Sequence, residues 1–485
     1  MPETQREILE ADVAVIGAGA AGLFAALTAA QTGATAILVS ATPLARTASY
    51  WAQGGLAAAL GPDDSPDRHR EDTEIAGRGM VRRSAANMLT RDAPHIVREL
   101  EALGVAFDTD PNGNLALGLE GGHSVRRVVH AGGSATGRRV VRQLSGLAVK
   151  AGGITVLEHV RAAQAWMVDG RCVGTILEDG RAIRARATIL ATGGAAALWA
   201  RTTNPPGSIG IGIQIARTAG AAVADLEFVQ FHPTAVIGIK GREGFLITEA
   251  IRGEGATLLD KDGERFVEEL SPRDEVARAI QNVLDRDGVD HVHLDMRKVD
   301  PLLFPNVVNA LRDSGLNPTK QLVPVAPACH YVMGGVAADL DGASTVAGLY
   351  VVGETACTGL HGANRLASNS LTECFVLGKR AALSGLDEPT NTATDPPAPN
   401  KLVAPAQSTR TALWKHAGII RTPEGLRALA EDPNELAQLV AALALAREES
   451  RGAHWRSDFP TLRPDLDGHH AVVRTGAAPA FERWL

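Results

Sequence analysis

Four polar segments carry the side chains with which this chain could do chemistry: Phe231-His-Pro-Thr234, Thr248-Glu-Ala-Ile-Arg-Gly-Glu-Gly255, Pro272-Arg-Asp274 and Pro327-Ala-Cys-His-Tyr331. Arg365 joins them from further down the chain. Counted as hydrogen-bond donors, His232, Thr248, His330 and Arg365 suffice for two carboxylates, because an arginine fork can hold one of them through two parallel N–H bonds. A dicarboxylic acid is the economical ligand for such a set. Each residue also has a purely structural use: His232 precedes a proline and can cap a turn, and Glu249 and Arg252, three apart, can pair on a helix surface. Their co-occurrence beside glycines is what points to a site.

Something must hold a reactive group against that ligand, and the glycine runs supply it. Asp12-Val-Ala-Val-Ile-Gly-Ala-Gly-Ala-Ala-Gly22 reads as a strand, a tight turn and an alanine-rich helix. Gly17 makes the turn, Gly19 lets the backbone approach a pyrophosphate, and Gly22 lets helix and strand pack closely. The helix N-terminus, with Ala18, Ala20 and Ala21 between the glycines, then holds the phosphates. The next strand, Ala36 to Ser40, ends at Ser40 where NAD-binding folds place an acid for the ribose, which argues against NAD. FAD is favoured by a further strand, Ala187 to Ala191, running into Thr192, Gly193 and Gly194, and by Gln53, Gly54 and Gly55, whose bare backbone can approach an isoalloxazine. Near the C-terminal end an apolar strand, Leu349 to Val352, leads to Glu354 and a loop of amides and hydroxyls through Arg365 to Ser370 and Leu371, suited to a ribityl chain and a carboxylate.

At 485 residues the chain exceeds one compact core. We expect an α/β protein: a Rossmann-like FAD-binding domain over 1–226 and 332–395, an inserted α+β capping domain over 227–331, and a C-terminal helical domain over 406–485, where apolar residues such as Leu426, Leu429, Leu436, Leu439, Val440 and Leu443 recur at helical spacing. The Thr/Pro/Asn-rich run from Leu386 to Pro405 reads as a linker. Against 48 basic residues stand 55 acidic ones, for a net charge of −7, and no basic run is interleaved with aromatics, so nucleic acid is not an expected partner. The uncharged run Val13 to Ala30 approaches membrane-spanning length, but its glycines sit at the fingerprint spacing, and the acidic start before it lacks the features of a signal peptide. A cytoplasmic protein without a membrane span is expected. Cys172, Cys329, Cys357 and Cys374 are scattered singly, at no metal or iron–sulfur spacing.

Together these motifs resemble the flavoproteins of the succinate dehydrogenase and fumarate reductase type. The likeness covers nearly the whole chain: the fingerprint, Gln53-Gly54-Gly55, His232-Pro-Thr, Thr248-Glu249, His330, Arg365 and the tail Glu448-Glu-Ser-Arg-Gly-Ala-His-Trp-Arg-Ser-Asp-Phe-Pro460. The tail and two further positions resemble the branch that oxidises L-aspartate. Ala48, ahead of Ser49 in the cofactor loop, takes the place of the histidine that attaches FAD in succinate-oxidising members, which implies non-covalent FAD. Glu120, in Leu119-Glu-Gly-Gly-His123, stands where the fumarate and succinate enzymes carry an apolar side chain, and a carboxylate there can receive an α-ammonium.

The resemblance therefore implies oxidation of L-aspartate to iminoaspartate, the first step toward quinolinate and NAD, with the flavin reoxidised by O₂ or fumarate. It implies that His232, Thr248, His330 and Arg365 bind the two carboxylates, with Cα facing flavin N5 to deliver a hydride, and that Glu120 positions the amine or accepts its proton. For fumarate as substrate it implies Arg273 as proton donor with Glu249 and Arg252 behind it, a role that requires a dry, charged site because a free arginine is a poor acid, with a pKa above about 12. It also implies a transient partnership with quinolinate synthase, for which no docking surface stands out. Two departures predict weaker FAD retention: Ile211 replaces an acid that contacts FAD, and Ala41 replaces a lysine common after Ser40. Two rivals remain, a fumarate reductase or succinate dehydrogenase-type flavoprotein, opposed by Ala48 and Glu120, and a flavin-binding scaffold without turnover, opposed by the intact polar constellation.

Overall fold

The computed structural model describes residues 6–485. Its centre is a parallel sheet in the order Leu349–Val351, Ala187–Leu190, Val13–Ile16, Ala36–Ser40, Ile154–Glu158. The three inner strands are buried along their whole length, which is why they read as unbroken apolar runs and not as alternating ones. Gly17 turns the chain out of the second of these at φ 111°, with its Cα against the Ala191 carbonyl, a place with no room for a side chain. The helix Ala20–Gln31 follows; alanine favours it, and every residue from Ala20 to Ala29 is buried. A Cβ on Gly22 would stand 1.8 Å from the Gly17 carbonyl oxygen, so the tight return of helix onto turn depends on that glycine. The outer side of this helix packs on Asn369–Leu386, where the rings of Phe24 and Phe375 meet edge to face at 5.3 Å. Both rings are at most 1 % exposed, a burial that stabilises by ~1.5–3 kcal/mol each.

A second sheet, Ile8–Glu10, Ala182–Arg184, Arg171–Leu177, Ala162–Val168, flanks the first. The stretch expected as a linker is irregular but strapped to it: Asn391 donates to the carbonyls of Val173 and Ala185, Arg184 to Ala393, and Gln164 to Ala398. These bonds give a proline-rich segment without regular structure a fixed course.

Residues 227–331 fold around an antiparallel sheet of Val229–Val236, Val323–Val332, Val292–Asp295 and Thr257–Leu259, backed by the helix Arg273–Asp287. Its apolar core, which includes Val236, Ile251, Leu258, Val276, Ile280, Leu294 and Val325, is separate from that of the parallel sheet. Register slips on the first strand between Gln230 and Phe231, and again between His232 and Ala235. The second slip falls at Pro233, which has no N–H to give the ladder.

Helices Gln407–His416, Pro423–Ala430 and Glu435–Ala446 lie in the C-terminal segment, and their leucines join the core of the parallel sheet. The last part of the chain is not helical. His469–Val473 and Ala480–Arg483 form a hairpin whose first strand pairs with Val223–Ala224, extending a sheet that also holds Gly335–Ala337 and Ala356–Cys357. The β-branched run Val472-Val473 suits that place between two partner strands. Among the described residues no helix is long and apolar enough to cross a membrane.

Candidate active site

The glycine turn and the loops around it fit a dinucleotide. Gly19, the N-cap of the fingerprint helix, offers no side chain to close the first turn, and no acidic residue stands there to repel a phosphate. The Ala20 N–H donates to the Ser49 hydroxyl at 3.1 Å, which brings the Ala48–Trp51 turn against the helix end. Glu354 closes the other side, its carboxylate oxygen accepting the Val332 N–H at 3.1 Å and lying where a side chain on Gly194 would have to go. Burial pushes the Glu354 carboxyl up to about 8, so at neutral pH it carries a proton and has an O–H to offer a ribose or ribityl oxygen. Gln53 leaves its amide oxygen buried and unpartnered while its Nε2 donates to the Leu246 carbonyl of the cap at 3.4 Å.

Three more of the expected cofactor residues are engaged within the protein. The Ser40 hydroxyl donates to the Thr42 carbonyl at 2.6 Å, the Thr192 hydroxyl accepts the Gly212 N–H at 3.1 Å, and the Ser370 hydroxyl accepts from Arg365 at 3.2 Å. Ile211 opens the helix Ile211–Thr218 with its side chain packed on the main apolar core, where no acid could replace it without losing that contact. Leu371 is buried in the same core.

Facing this cradle, the bulged strand and its neighbours bring the polar constellation together. His232 is buried, and its Nδ1 accepts the Thr234 N–H at 3.3 Å, which puts the ring proton on Nε2. That Nε2 has no partner within the protein. Burial, reinforced by the Arg273 charge, holds the imidazole far below its ordinary pKa, so it is a neutral N–H donor. His330 stands edge to face against it at 5.4 Å between ring centres, its Nδ1 2.8 Å from the Thr203 hydroxyl, and burial likewise keeps it neutral. Thr248 is the N-cap of the short helix Glu249–Gly253, and its side chain makes no cap bond.

Arg365 is buried over the Tyr331 ring at 4.8 Å, one of its terminal nitrogens donating to Gln230 Oε1 at 3.1 Å and the other to Ser370, with Nε unpartnered. Burial and the nearby Arg273 charge lower it to about 10, which leaves it cationic at neutral pH. Gln230 is the residue that sequence reasoning missed. Its Nε2 donates to Asn364 Oδ1 at 2.8 Å and to the Arg365 carbonyl at 2.9 Å, which fixes the amide so that its oxygen faces both Arg365 and, at 3.4 Å, Arg273. One neutral carbonyl between two guanidinium groups separates like charges without cancelling them. It stands two positions before His232, on the same strand, and the period of a strand was the signal that could have found it.

Arg273, at the start of its helix, donates from Nε to Glu249 Oε2 at 2.8 Å, and Arg252 lies 3.6 Å from the same oxygen. Burial opposes the Glu249 charge, but the two arginines outweigh it and hold the carboxyl below its usual range. Burial depresses Arg252, which donates to the Glu269 carbonyl and keeps two further nitrogens unpartnered. Arg273, Glu249 and Arg252 thus stand in one line.

Glu120 arrives on a loop from the other side. Its Oε2 accepts the Ser368 hydroxyl at 2.6 Å and its Oε1 lies 3.4 Å from His130 Nε2. Burial works against its charge, yet these two partners and Arg273 bring it down to about 2, so it is ionised at every pH of interest. Gly121, next to it, presses on the cap so closely that a Cβ would stand 1.8 Å from Glu249 Oε1. A buried network holds the loop in place: Arg127 pairs with Asp64 and Asp72, Asp72 accepts from the Ser124 N–H and hydroxyl, and His123 reaches the Ala367 carbonyl at 2.9 Å beside Ser368. The pocket therefore holds two anions among several cation and N–H donors, Glu249 paired with Arg273 and Arg252, and Glu120 without an arginine in contact. Among the described residues no group of His, Cys, Asp and Glu could hold a metal ion.

Residues 12–371 match the FAD binding domain family and residues 430–478 the fumarate reductase flavoprotein C-terminal family, so fold and site define an FAD-dependent oxidoreductase. L-aspartate oxidase of Caulobacter vibrioides is 42 % identical across 98 % of this chain and 100 % of its own length; that of Agrobacterium fabrum is 43 % identical across 92 % and 90 %. The fold is shared with a mutant E. coli quinol fumarate reductase FrdA, at a TM-score of 0.88 and 27 % identity over 98 % of this chain and 97 % of that one. Mycobacterium smegmatis Sdh1 in complex with UQ1 superposes at 0.85, with 28 % identity over 99 % and 95 %. The chain belongs to the L-aspartate oxidase family, within the flavoproteins of the fumarate reductase and succinate dehydrogenase type.

Proposed function

We propose that this protein oxidises L-aspartate to iminoaspartate with non-covalently bound FAD, the first step of quinolinate and NAD biosynthesis. The observation that carries the reading is Glu120, an ionised carboxylate set into a pocket otherwise lined by Arg365, Arg273, His232 and His330. A plain dicarboxylate finds only repulsion at that point; a dicarboxylate bearing an ammonium finds its counter-charge.

FAD would lie with its phosphates at Gly17 to Gly22, its sugar chain near Glu354, Ser370 and Leu371, and its ring along Ala48, Ser49 and Gln53 to Gly55, with Ser40 and Thr192 to Gly194 completing the cradle. Bound there, it supplies a two-electron acceptor for a hydride. The remaining work falls to side chains. Nε2–H of His232, Thr248, His330 and the Arg365 fork bind the two carboxylates, while Gln230 keeps the fork planar to them and apart from Arg273. Glu120 orients the ammonium. With fumarate in place of aspartate, Arg273 is the group placed to deliver a proton, with Glu249 and Arg252 lined up behind it. O₂ or fumarate would reoxidise the flavin, and the unstable imine would pass to quinolinate synthase in the cytoplasm.

The domain division follows the same lines: 1–226 with 332–395 holding FAD, 227–331 closing over it, and 406–485 bracing both. The separate core of the cap supports it. Ala48 supports the non-covalent link, since its methyl side chain has no atom that could bond the flavin at that position. Anaerobic mixing of the FAD-loaded protein with L-aspartate is expected to bleach the flavin, and acid precipitation to release the flavin into the supernatant. Flavin that stays oxidised with L-aspartate but is reduced by succinate would contradict the substrate, and flavin retained in the acid pellet would contradict the non-covalent link.

A further inference from the structure

The substrate ammonium must shed a proton before hydride can leave Cα, and the surroundings of Glu120 bear on where that proton goes. Glu120 itself is a poor resting place: the Ser368 hydroxyl donates to it at 2.6 Å and the Arg273 charge stabilises its anion. The other carboxylate at hand, Glu249, is held by Arg273 and Arg252. Arg252 already has its protons and is fully buried at its side chain.

His130 differs from all of these. It follows the short strand Val128–Val129, and its carbonyl is pinned by the Asp108 N–H at 2.8 Å. The ring lies flat against Gly118, where a Cβ would come within 2.8 Å of Cε1. Its Nε2 lies 3.4 Å from Glu120 Oε1, and its side chain is 24 % exposed, so the imidazole touches both the site and solvent. The charged groups that face the pair are Arg273, Glu249, Arg365 and His123. The Asp108 carboxylate is turned away, accepting the Gly132 and Gly133 N–H groups. Imidazole is also the side chain that takes up and returns protons near neutrality.

We propose that His130 is the proton exit for the substrate amine, receiving through the Glu120 carboxylate the proton that the α-ammonium gives up and passing it to solvent. The inference rests on the L-aspartate reading above. One N–H bond of the ammonium breaks and its electron pair stays on nitrogen; that pair forms the C=N bond as the Cα–H bond leaves with its two electrons as hydride to the flavin. The organic product is the iminium, and the single proton is on His130 Nε2 and then in water.

The test is His130→Asn in the FAD-loaded protein, because the amide keeps a polar group beside Glu120 but has no imidazole nitrogen to take up a proton. We expect kcat for L-aspartate to fall at least tenfold, the acid limb of its pH profile to flatten, and added imidazole to restore rate, with fumarate reduction by the dye-reduced protein falling far less. His130→Gln should behave alike. Unchanged kcat and pH profile in either variant would overturn the proposal, as would equal losses in both reactions without imidazole rescue. Wild-type protein whose flavin L-aspartate fails to bleach would instead overturn the substrate reading, and the proton exit with it.

Discussion

Glu120→Gln is expected to cut kcat/KM for L-aspartate by about 10- to 100-fold while leaving fumarate reduction within a few-fold of wild type. The amide keeps the size of the side chain and can still meet Ser368 and His130, so the loop held by Arg127, Asp64 and Asp72 has no reason to move. What disappears is a negative charge opposite the ammonium, a charge-assisted bond worth ~1.5–3 kcal/mol, and each ~1.4 kcal/mol is tenfold in rate. Fumarate has no ammonium and loses nothing. Equal losses in the two assays would remove Glu120 from the amine. Because the Glu120 carboxyl titrates at about 2, the acid limb of the wild-type profile is not its own.

Arg365→Lys should injure both reactions. The guanidinium is stretched over Tyr331 between Gln230 and Ser370, which leaves its planar edge for a carboxylate; an ammonium is one point charge on a flexible stem and cannot make these bonds together. We expect KM to rise roughly 30-fold or more for L-aspartate and for fumarate, the loss of about 2 kcal/mol that goes with a bidentate charge-assisted pair. A near-normal KM for either substrate would show that Arg365 does not bind a carboxylate.

Much of this architecture was legible in the chain because it depends on local rules. Gly17, Gly19 and Gly22 are where the backbone turns, stays bare and packs closely, and each is dictated by sterics within a few residues. The strands of the parallel sheet show as apolar runs because both faces are covered. His232, Glu249, Arg273, His330 and Arg365 could be chosen by type, and tertiary packing brings them into one pocket.

Other features were not legible, since partners far apart in the chain create them. Gln230 matters only through Asn364, Arg365 and Arg273, and while the strand period puts it on the face of His232, nothing local names those partners. His130 acquires its role from Glu120, ten residues earlier on a different turn of the loop. The segment from Leu386 to Pro405 reads as a flexible connector by composition and is fixed by side-chain bonds to another sheet. Likewise, the strand His469–Val473 is short and lies after three helices; only its pairing with Val223–Ala224 makes it a strand.

The most direct measurement of the central claim is a crystal structure of the FAD-loaded protein with succinate, an unreactive mimic of the aspartate skeleton if succinate is not turned over. The account predicts both carboxylates bound inside the pocket, one on the Arg365 fork and the other on His232 Nε2, with the carbon nearest flavin N5 facing Glu120. Succinate bound elsewhere, or His232, His330 and Arg365 turned away from the flavin ring, would contradict it.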